Sequence, residues 1–398
     1  MKPAPLNPPL APPLGPLERL PEEWAEAMVR LGEPKYRGLA VFRWIHQRGV
    51  LDPEQMTDLP KSLREKLRED GLSDPLSVVQ EHLSDDTTRK LLVRMLDGKE
   101  VEAVLIPQRV QTSADVGAPD DDEPSEEPAE GEGESPDAGP TLAQFTECVS
   151  TQVGCAQGCV FCASGQAGLK RNLTAAEIIA QVLLGRRRLG EHERLRNIVL
   201  MGMGEPLANY DNVARALVLM THPDGLNLSR RRVTLSTSGL VPQIDRLGQD
   251  FAGQIQLAVS LHQVDDERRS ALMPINRKYP IAELLAALRR YPMPKRRRIT
   301  IEYTLVSGQN DSLADAKKLS VLLRGLRVKV NLIPMNPIEA SSLGPSTWGT
   351  VDAFQELLIQ NGISTFVRRR KGADIAAACG QLALKGEKLR KVLRVAEA

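Results

Sequence analysis

The sequence predicts a mixed α/β protein: an incomplete (β/α)6 barrel that follows a small N-terminal helical module and a β-hairpin. Beyond residue 145, six strand-like segments alternate with helix-like segments, which is typical of a parallel sheet with crossover helices. Before that point, three short amphipathic segments precede two strand-like ones. An open, doubly wound sheet would give the same alternation, so periodicity alone leaves both architectures open.

The N-terminal module is predicted over residues 21–108, after a proline-rich leader over residues 1–20 that we expect to be disordered. Apolar residues at helical spacing predict three helices: Glu22–Leu31, Arg37–Gln47 and Ser62–Glu69. Two strands are then predicted over Arg89–Leu96 and Glu100–Pro107. The Asp97-Gly98 pair between them is a strong signal for a tight hairpin turn.

The barrel core is predicted over residues 145–384, followed by a short tail over residues 385–398. Its six strand candidates are Cys148–Val153, Asn197–Gly202, Val233–Ser238, Ile255–Leu261, Ile299–Val306 and Val328–Pro334. The first long helix between them opens with Thr174-Ala-Ala-Glu177, a capping box. In a barrel of this kind, functional residues gather at the carboxyl ends of the strands.

Charge is distributed unevenly along the chain. The 52 Lys and Arg residues nearly balance 51 Asp and Glu residues, but eleven of the acids lie between Asp115 and Asp137 among Pro, Gly, Ser and Ala. We therefore predict a disordered acidic linker over residues 109–144. The remainder, 52 basic against 40 acidic residues, carries a net charge of +12. Its basic runs predict a surface for nucleic-acid phosphates: Arg186–Arg188, Arg230–Arg232, Lys295–Arg298 and Arg368–Lys371.

Composition excludes several classes of protein. No stretch approaches the roughly 18 consecutive apolar residues of a transmembrane helix, so we expect no membrane association. The leader lacks the charged-then-apolar layout of a secretory signal. Five cysteines are an odd, low count for a secreted disulfide scaffold, which favours the cytoplasm.

Four of the five cysteines lie within fifteen residues: Cys148, then Cys155-Ala-Gln-Gly-Cys159-Val-Phe-Cys162. Three closely spaced thiolates can hold three irons of a 4Fe-4S cluster and leave the fourth iron open to a ligand from outside the protein. A structural zinc site is the alternative, but zinc needs four closed ligands and no Cys or His follows at zinc-finger spacing. We therefore predict that Cys155, Cys159 and Cys162 bind a 4Fe-4S cluster.

The C-x3-C-x2-C run, with an aromatic residue before its last cysteine, resembles the signature of the radical S-adenosylmethionine (SAM) enzymes. The surrounding motifs narrow this resemblance to the RlmN/Cfr family of radical SAM RNA adenine methyltransferases. They are Cys148-Val-Ser-Thr-Gln-Val-Gly-Cys155, Arg171-Asn-Leu-Thr174, Met201-Gly-Met-Gly-Glu-Pro206, Arg232-Val-Thr-Leu-Ser-Thr-Ser-Gly239, Val259-Ser-Leu-His262, Asn331-Leu-Ile-Pro-Met-Asn336 and Ala378-Cys-Gly-Gln381. The similarity extends from about Gly32 to Leu384 and includes the N-terminal module.

The resemblance implies a SAM pocket formed by Gly204, Glu205, Ser236, Ser260, Leu261, His262 and Asn336, at or just past predicted strand ends. The turn and carboxylate of Gly204-Glu205 would receive the ammonium group of the methionine moiety. Taken alone, Gly-Glu-Pro is an ordinary strand-to-helix turn.

The same resemblance implies that Cys379 is a methyl carrier, that Cys148 is a second essential thiol, and that Glu102 accepts a proton. Taken alone, a cysteine in Ala-Ala-Ala-Cys-Gly is most often a small buried hydrophobic residue. Glu102 alone equally fits a solvent-facing carboxylate on a strand.

The implied reaction uses two SAM molecules per turnover. The Cys379 thiolate takes a methyl group from the first SAM, and the second SAM, bound to the open iron, is split reductively into methionine and a 5′-deoxyadenosyl radical. This radical takes a hydrogen from the methyl group on Cys379, and the resulting carbon radical adds to carbon 2 of adenine. Cys148 then releases the methylated RNA by forming a disulfide with Cys379.

The implied partners are 23S rRNA, at an adenine of the peptidyl-transferase region, and tRNA, at an adenine next to the anticodon. The resemblance further implies a monomer that receives electrons from an external donor such as flavodoxin or ferredoxin. Two alternatives stay open. A Cfr-like enzyme would methylate carbon 8 with the same residues, and an iron-sulfur RNA-binding protein without methylation activity would need neither Cys148 nor Cys379.

Overall fold

The computed structural model describes residues 14–108, 142–338, 341–368, 371–372 and 374–382. The predictions for most of the leader, for nearly all of the acidic linker and for the C-terminal tail fall outside these residues. Within them, ten strands form one sheet and two short strands form a second. No helix in these ranges has the length and apolarity to cross a membrane.

The three predicted N-terminal helices are confirmed, with small changes of boundary. They are α1 (Pro21–Arg30), α2 (Arg37–Phe42) and α3 (Lys61–Glu69), and a π-helical turn over Arg43–Gln47 continues α2. Proline at the first position of α1 suits a helix start, because its missing N–H would have had no partner there. The apolar faces of the helices, including Trp24, Phe42, Leu63 and Leu67, are buried in a common core.

An antiparallel part of the main sheet follows the helices. It consists of β1 (Leu76–Leu83), β2 (Arg89–Met95) and β3 (Glu100–Pro107). The predicted hairpin between β2 and β3 is confirmed, and Gly98 has the positive φ of 77° that its tight turn requires. Strand β1 was not predicted, because most of its residues are exposed or half-buried and its sequence has no clear apolar alternation.

The parallel part of the sheet holds seven strands: β4 (Ala143–Cys148), β7 (Glu193–Leu200), β8 (Val233–Thr237), β9 (Gln256–Ser260), β10 (Ile299–Leu305), β11 (Val328–Pro334) and β12 (Thr365–Val367). The sheet order is β1-β2-β3-β4-β7-β8-β9-β10-β11-β12, with the two short strands β5 (Gln152–Val153) and β6 (Arg171–Asn172) paired separately. Among the described strands, the terminal β1 and β12 do not pair with each other, so the barrel is incomplete, as predicted.

Two strand predictions are corrected. The first parallel strand is Ala143–Cys148 rather than Cys148–Val153, because the chain leaves the sheet after Cys148 and Gln152–Val153 pairs with β6 instead. Strand β12 adds a seventh parallel strand, which is only three residues long and too short for a sequence signal.

Eight helices accompany these strands: α4 (Ala163–Ala167), α5 (Ala175–Arg187), α6 (Tyr210–Thr221), α7 (Val241–Phe251), α8 (Asp266–Leu272), α9 (Ile281–Arg290), α10 (Leu313–Leu322) and α11 (Trp348–Gln360). The predicted capping box is confirmed at the start of α5, where Thr174 Oγ1 accepts from Glu177 N at 3.1 Å and Glu177 Oε2 accepts from Thr174 N at 2.9 Å.

Strand β4 joins the two parts of the sheet, because it pairs antiparallel with β3 and parallel with β7. The predicted hairpin is therefore not a separate cap but continues the barrel sheet. All seven parallel strands end at one edge, and antiparallel β3 begins at that edge. Residues at the start of β3 and at the ends of the parallel strands therefore lie near one another.

Candidate active site

The three cysteines of the C-x3-C-x2-C run lie in the loop after β5, at the carboxyl edge of the parallel strands. Cys162 N donates to Cys159 O at 3.2 Å, and the Gln166 side chain donates to the same carbonyl at 3.1 Å, which closes the loop into a compact turn. Burial raises the pKa of Cys155 to about 12. The pKa of Cys159 is also raised, first by burial and then by Cys162 and Cys155, while Arg269 opposes the rise.

These thiols suit a cluster by their chemistry. Three neighbouring cysteines in an apolar loop stay protonated unless a cation replaces the protons, and iron-sulfur clusters supply that positive charge to thiolates. Among the residues that the structure describes, no three His, Cys, Asp or Glu side chains are spaced to hold one metal ion.

Glu205 lies in the turn after β7 and is held rigidly. Its Oε1 accepts from Leu207 N at 3.1 Å, its Oε2 accepts from Ser238 N at 2.7 Å, and its own amide donates to Gln152 Oε1 at 2.8 Å. Burial raises the pKa of Glu205, although the hydrogen bond from Ser238 opposes the rise. Gly204 has a φ of 109°, and a Cβ atom there would lie 2.7 Å from Gln152 Cβ. Each Glu205 oxygen still has a lone pair for a further donor.

Ser236 and Ser260 lie near the carboxyl ends of neighbouring strands. Ser236 is the penultimate residue of β8 and pairs with Ala258, so Ser260 at the end of β9 lies two residues nearer the edge. Both serines are half-buried, whereas Leu261 is buried.

His262 follows at the end of β9 in a strained backbone conformation, with a φ of 54°. Its Nδ1 accepts from Thr304 N at 2.9 Å, and its carbonyl accepts from the Asn310 side chain at 2.7 Å. Burial, assisted by the charge of Arg269, lowers the pKa of His262 to about 3, so the ring is neutral at neutral pH. Its ring meets the ring of Phe161 edge-on at 4.8 Å, so His262 packs directly against residues 155–162, which we call the cysteine loop.

Arg269 of α8 was missed in the sequence analysis. Its buried guanidinium donates to the carbonyls of Leu261 at 3.0 Å, Ser238 at 2.9 Å and Ser260 at 2.9 Å, and to Asn276 Oδ1 at 2.8 Å. One side chain therefore fixes the ends of β8 and β9 together. Nothing in the sequence distinguishes Arg269 from an exposed helical arginine, because only the fold brings these carbonyls around it.

Cys379 lies in a C-terminal segment, residues 371–372 and 374–382, that we call the Cys379 loop. One side of it contacts the start of α4, directly after the cysteine loop, and the segment after β11. Gly380 O accepts from Ala163 N at 2.8 Å, and Leu382 O accepts from Ser164 Oγ at 2.5 Å. The Asn336 side chain donates to Cys379 O at 3.0 Å. Asn336, which the family resemblance assigned to SAM, therefore contacts the backbone of the Cys379 loop.

The other side of the Cys379 loop contacts the antiparallel part of the sheet. Ser84 Oγ donates to Asp374 Oδ1 at 2.5 Å, and Gly372 N donates to Asp86 Oδ2 at 3.0 Å. The loop therefore joins the β1–β2 turn to the cysteine loop.

Cys148 and Cys379 are neighbours, and both thiols are free. Burial raises the pKa of Cys148 to about 12, and the adjacent Cys379 adds to this rise. Cys379 likewise contributes to the raised pKa of Cys162, after burial. The fold thus brings Cys379 near both Cys148 and Cys162, although 231 and 217 positions separate it from these two residues in the sequence.

Glu102 lies near the start of β3, and Ser150 Oγ, just past the end of β4, donates to its carbonyl at 2.6 Å. The Glu102 side chain is only 10% exposed and lies 3.2 Å from Lys90 Nζ. The alternative of a solvent-facing carboxylate is therefore wrong. Lys90 itself was missed, since a lysine on a predicted strand is ordinarily exposed.

Glu147 lies next to Cys148 on the opposite face of β4. It is fully buried against Gly185 of α5, and neither carboxyl oxygen has a hydrogen-bond partner. Burial raises its pKa well above the usual value.

Some residues of the predicted basic runs form ion pairs within the protein. At the end of α5, Arg187 pairs with Asp74 at 2.5 Å and Arg188 with Glu81 at 3.2 Å, which ties the barrel to the N-terminal region. All three arginines of this run are exposed.

The last basic run is also partly internal. Arg368 contacts Met201 Sδ at 3.8 Å and lowers the pKa of Cys148, while Lys371 Nζ donates to Pro107 O at 2.8 Å. The remaining two arginines of that run lie outside the described residues.

A surface cavity of about 470 Å³ lies at the opposite, amino-terminal edge of the barrel, lined by Arg186, Glu193, Arg194 and Asn227 among others. The length of β7, about 23 Å at roughly 3.3 Å per residue, separates it from the cysteines, so it does not belong to this site.

Comparisons with known proteins identify the family of the chain. The Radical SAM superfamily model matches residues 149–319, and the model of the ribosomal RNA large subunit methyltransferase N-terminal domain matches residues 21–71. The chain is 60% identical over 382 residues to a dual-specificity RNA methyltransferase RlmN of Sorangium cellulosum, covering 94% of this chain and 97% of the relative.

A second relative of the same name, from Syntrophobacter fumaroxidans, is 45% identical over 361 residues, with 91% and 94% of the two chains covered. Among solved structures, a radical SAM methyltransferase from Sphaerobacter thermophilus matches with a TM-score of 0.80 and 43% identity, over 92% of this chain and 98% of that one.

Proposed function

The chain belongs to the RlmN family of radical SAM RNA methyltransferases, and from this premise we propose that it methylates carbon 2 of a specific adenine in 23S rRNA and in tRNA. The observation that carries the proposal is that the Cys379 loop contacts both sides of the site. Gly380 O accepts from Ala163 N, directly after Cys162, and Ala376 O accepts from Lys90, which lies in the same row across the strands as Cys148. An iron-sulfur protein that only binds RNA needs no such pair of thiols beside its cluster.

Cys155, Cys159 and Cys162 would hold a 4Fe-4S cluster through three irons. When bound, the cluster and SAM supply the 5′-deoxyadenosyl radical. The apolar packing of His262 on Phe161 would keep water from this part of the site.

The SAM pocket would be formed at the carboxyl ends of the parallel strands, which the surrounding residues hold in fixed positions. Glu205, held by two backbone amides, would accept the SAM ammonium with its remaining lone pairs. Ser236, Ser260, Leu261 and His262 would line the pocket at the ends of β8 and β9, which Arg269 holds in place. Asn336 would act indirectly, through its hydrogen bond to Cys379 O.

Cys379 would carry the methyl group. Its sulfur attacks the methyl of one SAM, so that a carbon–sulfur bond forms on Cys379 while one in SAM breaks and S-adenosylhomocysteine leaves. After hydrogen abstraction, the methylene radical on Cys379 adds to adenine carbon 2. This route suits carbon 2, which is electron-poor and cannot itself attack SAM.

Release of the RNA would use Glu102 and Cys148. Glu102 would take the proton from carbon 2, and the one electron that the adduct must lose would return to the oxidised cluster, which had given one electron for SAM cleavage. The Cys148 thiolate then attacks the Cys379 sulfur, the electron pair of the carbon–sulfur bond passes to the product carbon, and that carbon takes a proton to become the methyl group. The resulting disulfide must be reduced to two thiols by an external thiol reductant before the next turnover.

The basic body, with exposed arginines such as Arg186, supports RNA as the partner. The target adenine must leave its stack to reach the strand ends. We further propose that the chain acts as a monomer and takes electrons from a donor such as flavodoxin or ferredoxin.

The test uses the two thiol variants with the cluster reconstituted anaerobically. We expect Cys148→Ala to accumulate a covalent protein–RNA adduct, because the methylene bridge forms but cannot be resolved. Cys379→Ala should give neither adduct nor product while retaining iron-sulfur absorbance. Denaturing gels and mass spectrometry of the RNA measure both results. An adduct in Cys379→Ala would contradict the carrier role, and 8-methyladenosine in the wild-type product would indicate the Cfr-like reaction instead.

A further inference from the structure

Lys90 occupies an unusual position for a lysine. It lies on β2 with a side chain that is only 8% exposed, and its Nζ is 3.2 Å from Glu102 Oε1. The same nitrogen donates to Ala376 O in the Cys379 loop, also at 3.2 Å. One buried ammonium therefore contacts both the residue proposed to accept the proton and the segment that carries the methyl group.

The strand register explains why these groups meet. Lys90 pairs with Val104 on β3, and Val104 pairs with Cys148 on β4, so the three residues form one row across three strands. Directly paired residues point to the same face, and Glu102, two positions from Val104, shares that face. Lys90, Glu102 and Cys148 therefore face the same side of the sheet, toward the Cys379 loop.

The Cys379 loop needs external support at this point. Ala376 has a φ of 50°, in the left-handed region that residues other than glycine seldom adopt. Such a conformation persists when the surrounding contacts favour it. The hydrogen bond from Lys90 to Ala376 O is one such contact, three residues before Cys379.

We propose that Lys90 is a positioning residue, which holds the Glu102 carboxylate and the Cys379 loop in a fixed relation through its two contacts. The inference rests on the proposed function, since it takes Cys379 as the methyl carrier and Glu102 as the proton acceptor. Lys90 acts through Glu102 and the Cys379 loop, and in this role it needs no contact with SAM or with the adenine. It acts by keeping the methylene group on Cys379 within reach of the adenine from which Glu102 accepts a proton.

A structural reading would make Lys90 only the counter-ion of a buried carboxylate. Such a pair would need no contact with a segment 286 positions away in the sequence. The two interpretations differ once Glu102 has been made neutral by substitution. A mere counter-ion would then no longer matter, whereas a positioning residue would still affect the rate of methyl transfer.

The first measurement compares Lys90→Met with the wild type, using full-length protein with its cluster reconstituted anaerobically and an rRNA transcript as substrate. We expect kcat for RNA methylation to fall by about 10- to 100-fold, the effect of a small misplacement of reacting groups, with KM for RNA unchanged. Cleavage of SAM to 5′-deoxyadenosine should continue, so more 5′-deoxyadenosine forms per methylated RNA. Lys90→Arg should restore most of the coupling, and Lys99→Met, at the exposed turn of the same hairpin, should match the wild type. Wild-type coupling in Lys90→Met would overturn the proposal.

The second measurement stays informative even if Lys90→Met folds poorly, because it removes the buried charges together. Glu102→Gln should form the protein–RNA adduct and fail to release it. In Lys90→Met/Glu102→Gln we expect the adduct to form about 10-fold more slowly than in Glu102→Gln, since the loop has lost its support. Equal rates would show that Lys90 acts only through Glu102, which contradicts the proposal.

The same measurements distinguish a failure of the proposed function from a failure of the role of Lys90. If the wild-type protein carries no methyl group on Cys379 in peptide mass spectra, the proposed function fails whatever Lys90 does. If Cys379 is methylated and Glu102→Gln accumulates the adduct, but both Lys90 variants behave like their parents, only the role of Lys90 fails.

Discussion

The two parts of the main sheet contribute differently to the site. The parallel part, β4 and β7–β12, presents strand ends and loops that carry the cysteine loop, Glu205 and His262. The antiparallel part, β1–β3, presents side chains and a turn that contact the Cys379 loop. Under the proposed function, the parallel part would serve cluster and SAM binding, and the antiparallel part would serve methyl transfer from Cys379.

This difference has a physical basis. Parallel strands end together and leave backbone groups that a buried residue such as Arg269 can organise. Antiparallel strands bring residues of distant sequence into one row, such as Lys90, Val104 and Cys148. Variants in the parallel part should therefore impair SAM cleavage, whereas variants in the antiparallel part should leave it intact.

The largest effect is expected from Arg269→Met. Three carbonyls at the ends of β8 and β9, and Asn276 Oδ1, lose the guanidinium as a donor, while Leu261 O keeps a second donor in Gln263 N. Unsatisfied buried groups cost about 1–3 kcal/mol each, so the loss at the other three acceptors should lower the free energy of unfolding by at least about 3 kcal/mol. SAM cleavage should be lost as well. Denaturant unfolding and 5′-deoxyadenosine assays measure the two effects.

The matched control for this change is Arg277→Met, an exposed arginine that follows α8. It should keep wild-type stability and SAM cleavage. Arg269→Lys should have a stability and a rate of SAM cleavage between those of the wild type and Arg269→Met, because an ammonium cannot make the several directed hydrogen bonds of a guanidinium. Normal SAM cleavage in Arg269→Met would contradict the assigned role of the parallel part.

A smaller effect is expected from Glu147→Gln, on the strand that joins the two parts. Burial raises the pKa of Glu147, so the folded protein binds its proton more tightly than the unfolded chain does. Its contribution to stability is then full below pH 4.5, the ordinary value, and falls as the pH rises toward the folded-state pKa.

Glu147→Gln should therefore flatten this dependence. In the wild type, the free energy of unfolding should fall by about 1.4 kcal/mol more per pH unit than in the variant, while Glu147 stays protonated. Denaturant unfolding from about pH 5 to pH 8 measures the slope. The control Glu191→Gln, at an exposed acid, should not alter it. Parallel slopes for the wild type and Glu147→Gln would show that Glu147 is ionised in the folded protein.

The smallest effect is expected from Ser84→Ala, in the antiparallel part. The change removes the hydrogen bond to Asp374, worth about 1 kcal/mol, so RNA methylation should slow by about fivefold while SAM cleavage stays unchanged. Ser77→Ala, on the exposed strand β1, serves as the control and should have no effect. Equal loss of both activities in Ser84→Ala would remove the distinction between the two parts of the sheet.

Much of the fold followed from local patterns. Helical spacing located α1–α3, the Asp97-Gly98 pair located the β2–β3 turn, and Thr174 with Glu177 located the start of α5. These features depend on neighbours within a few residues, which is why periodicity and capping reveal them. Strands β1 and β12 gave no such signal, because one is largely exposed and the other has three residues.

The sequence by itself determined the alternating α/β order, the cysteine loop and, through its motifs, the family and the residues to examine. The tertiary structure alone decided that the hairpin continues the barrel sheet, that Glu102 is buried beside Lys90, and that Arg269 holds the strand ends. It also brought the Cys379 loop into contact with both the residue after Cys162 and Lys90 on β2. The reason is that motifs and periodicity record local spacing. These contacts depend instead on strand register and on folding that brings together residues hundreds of positions apart.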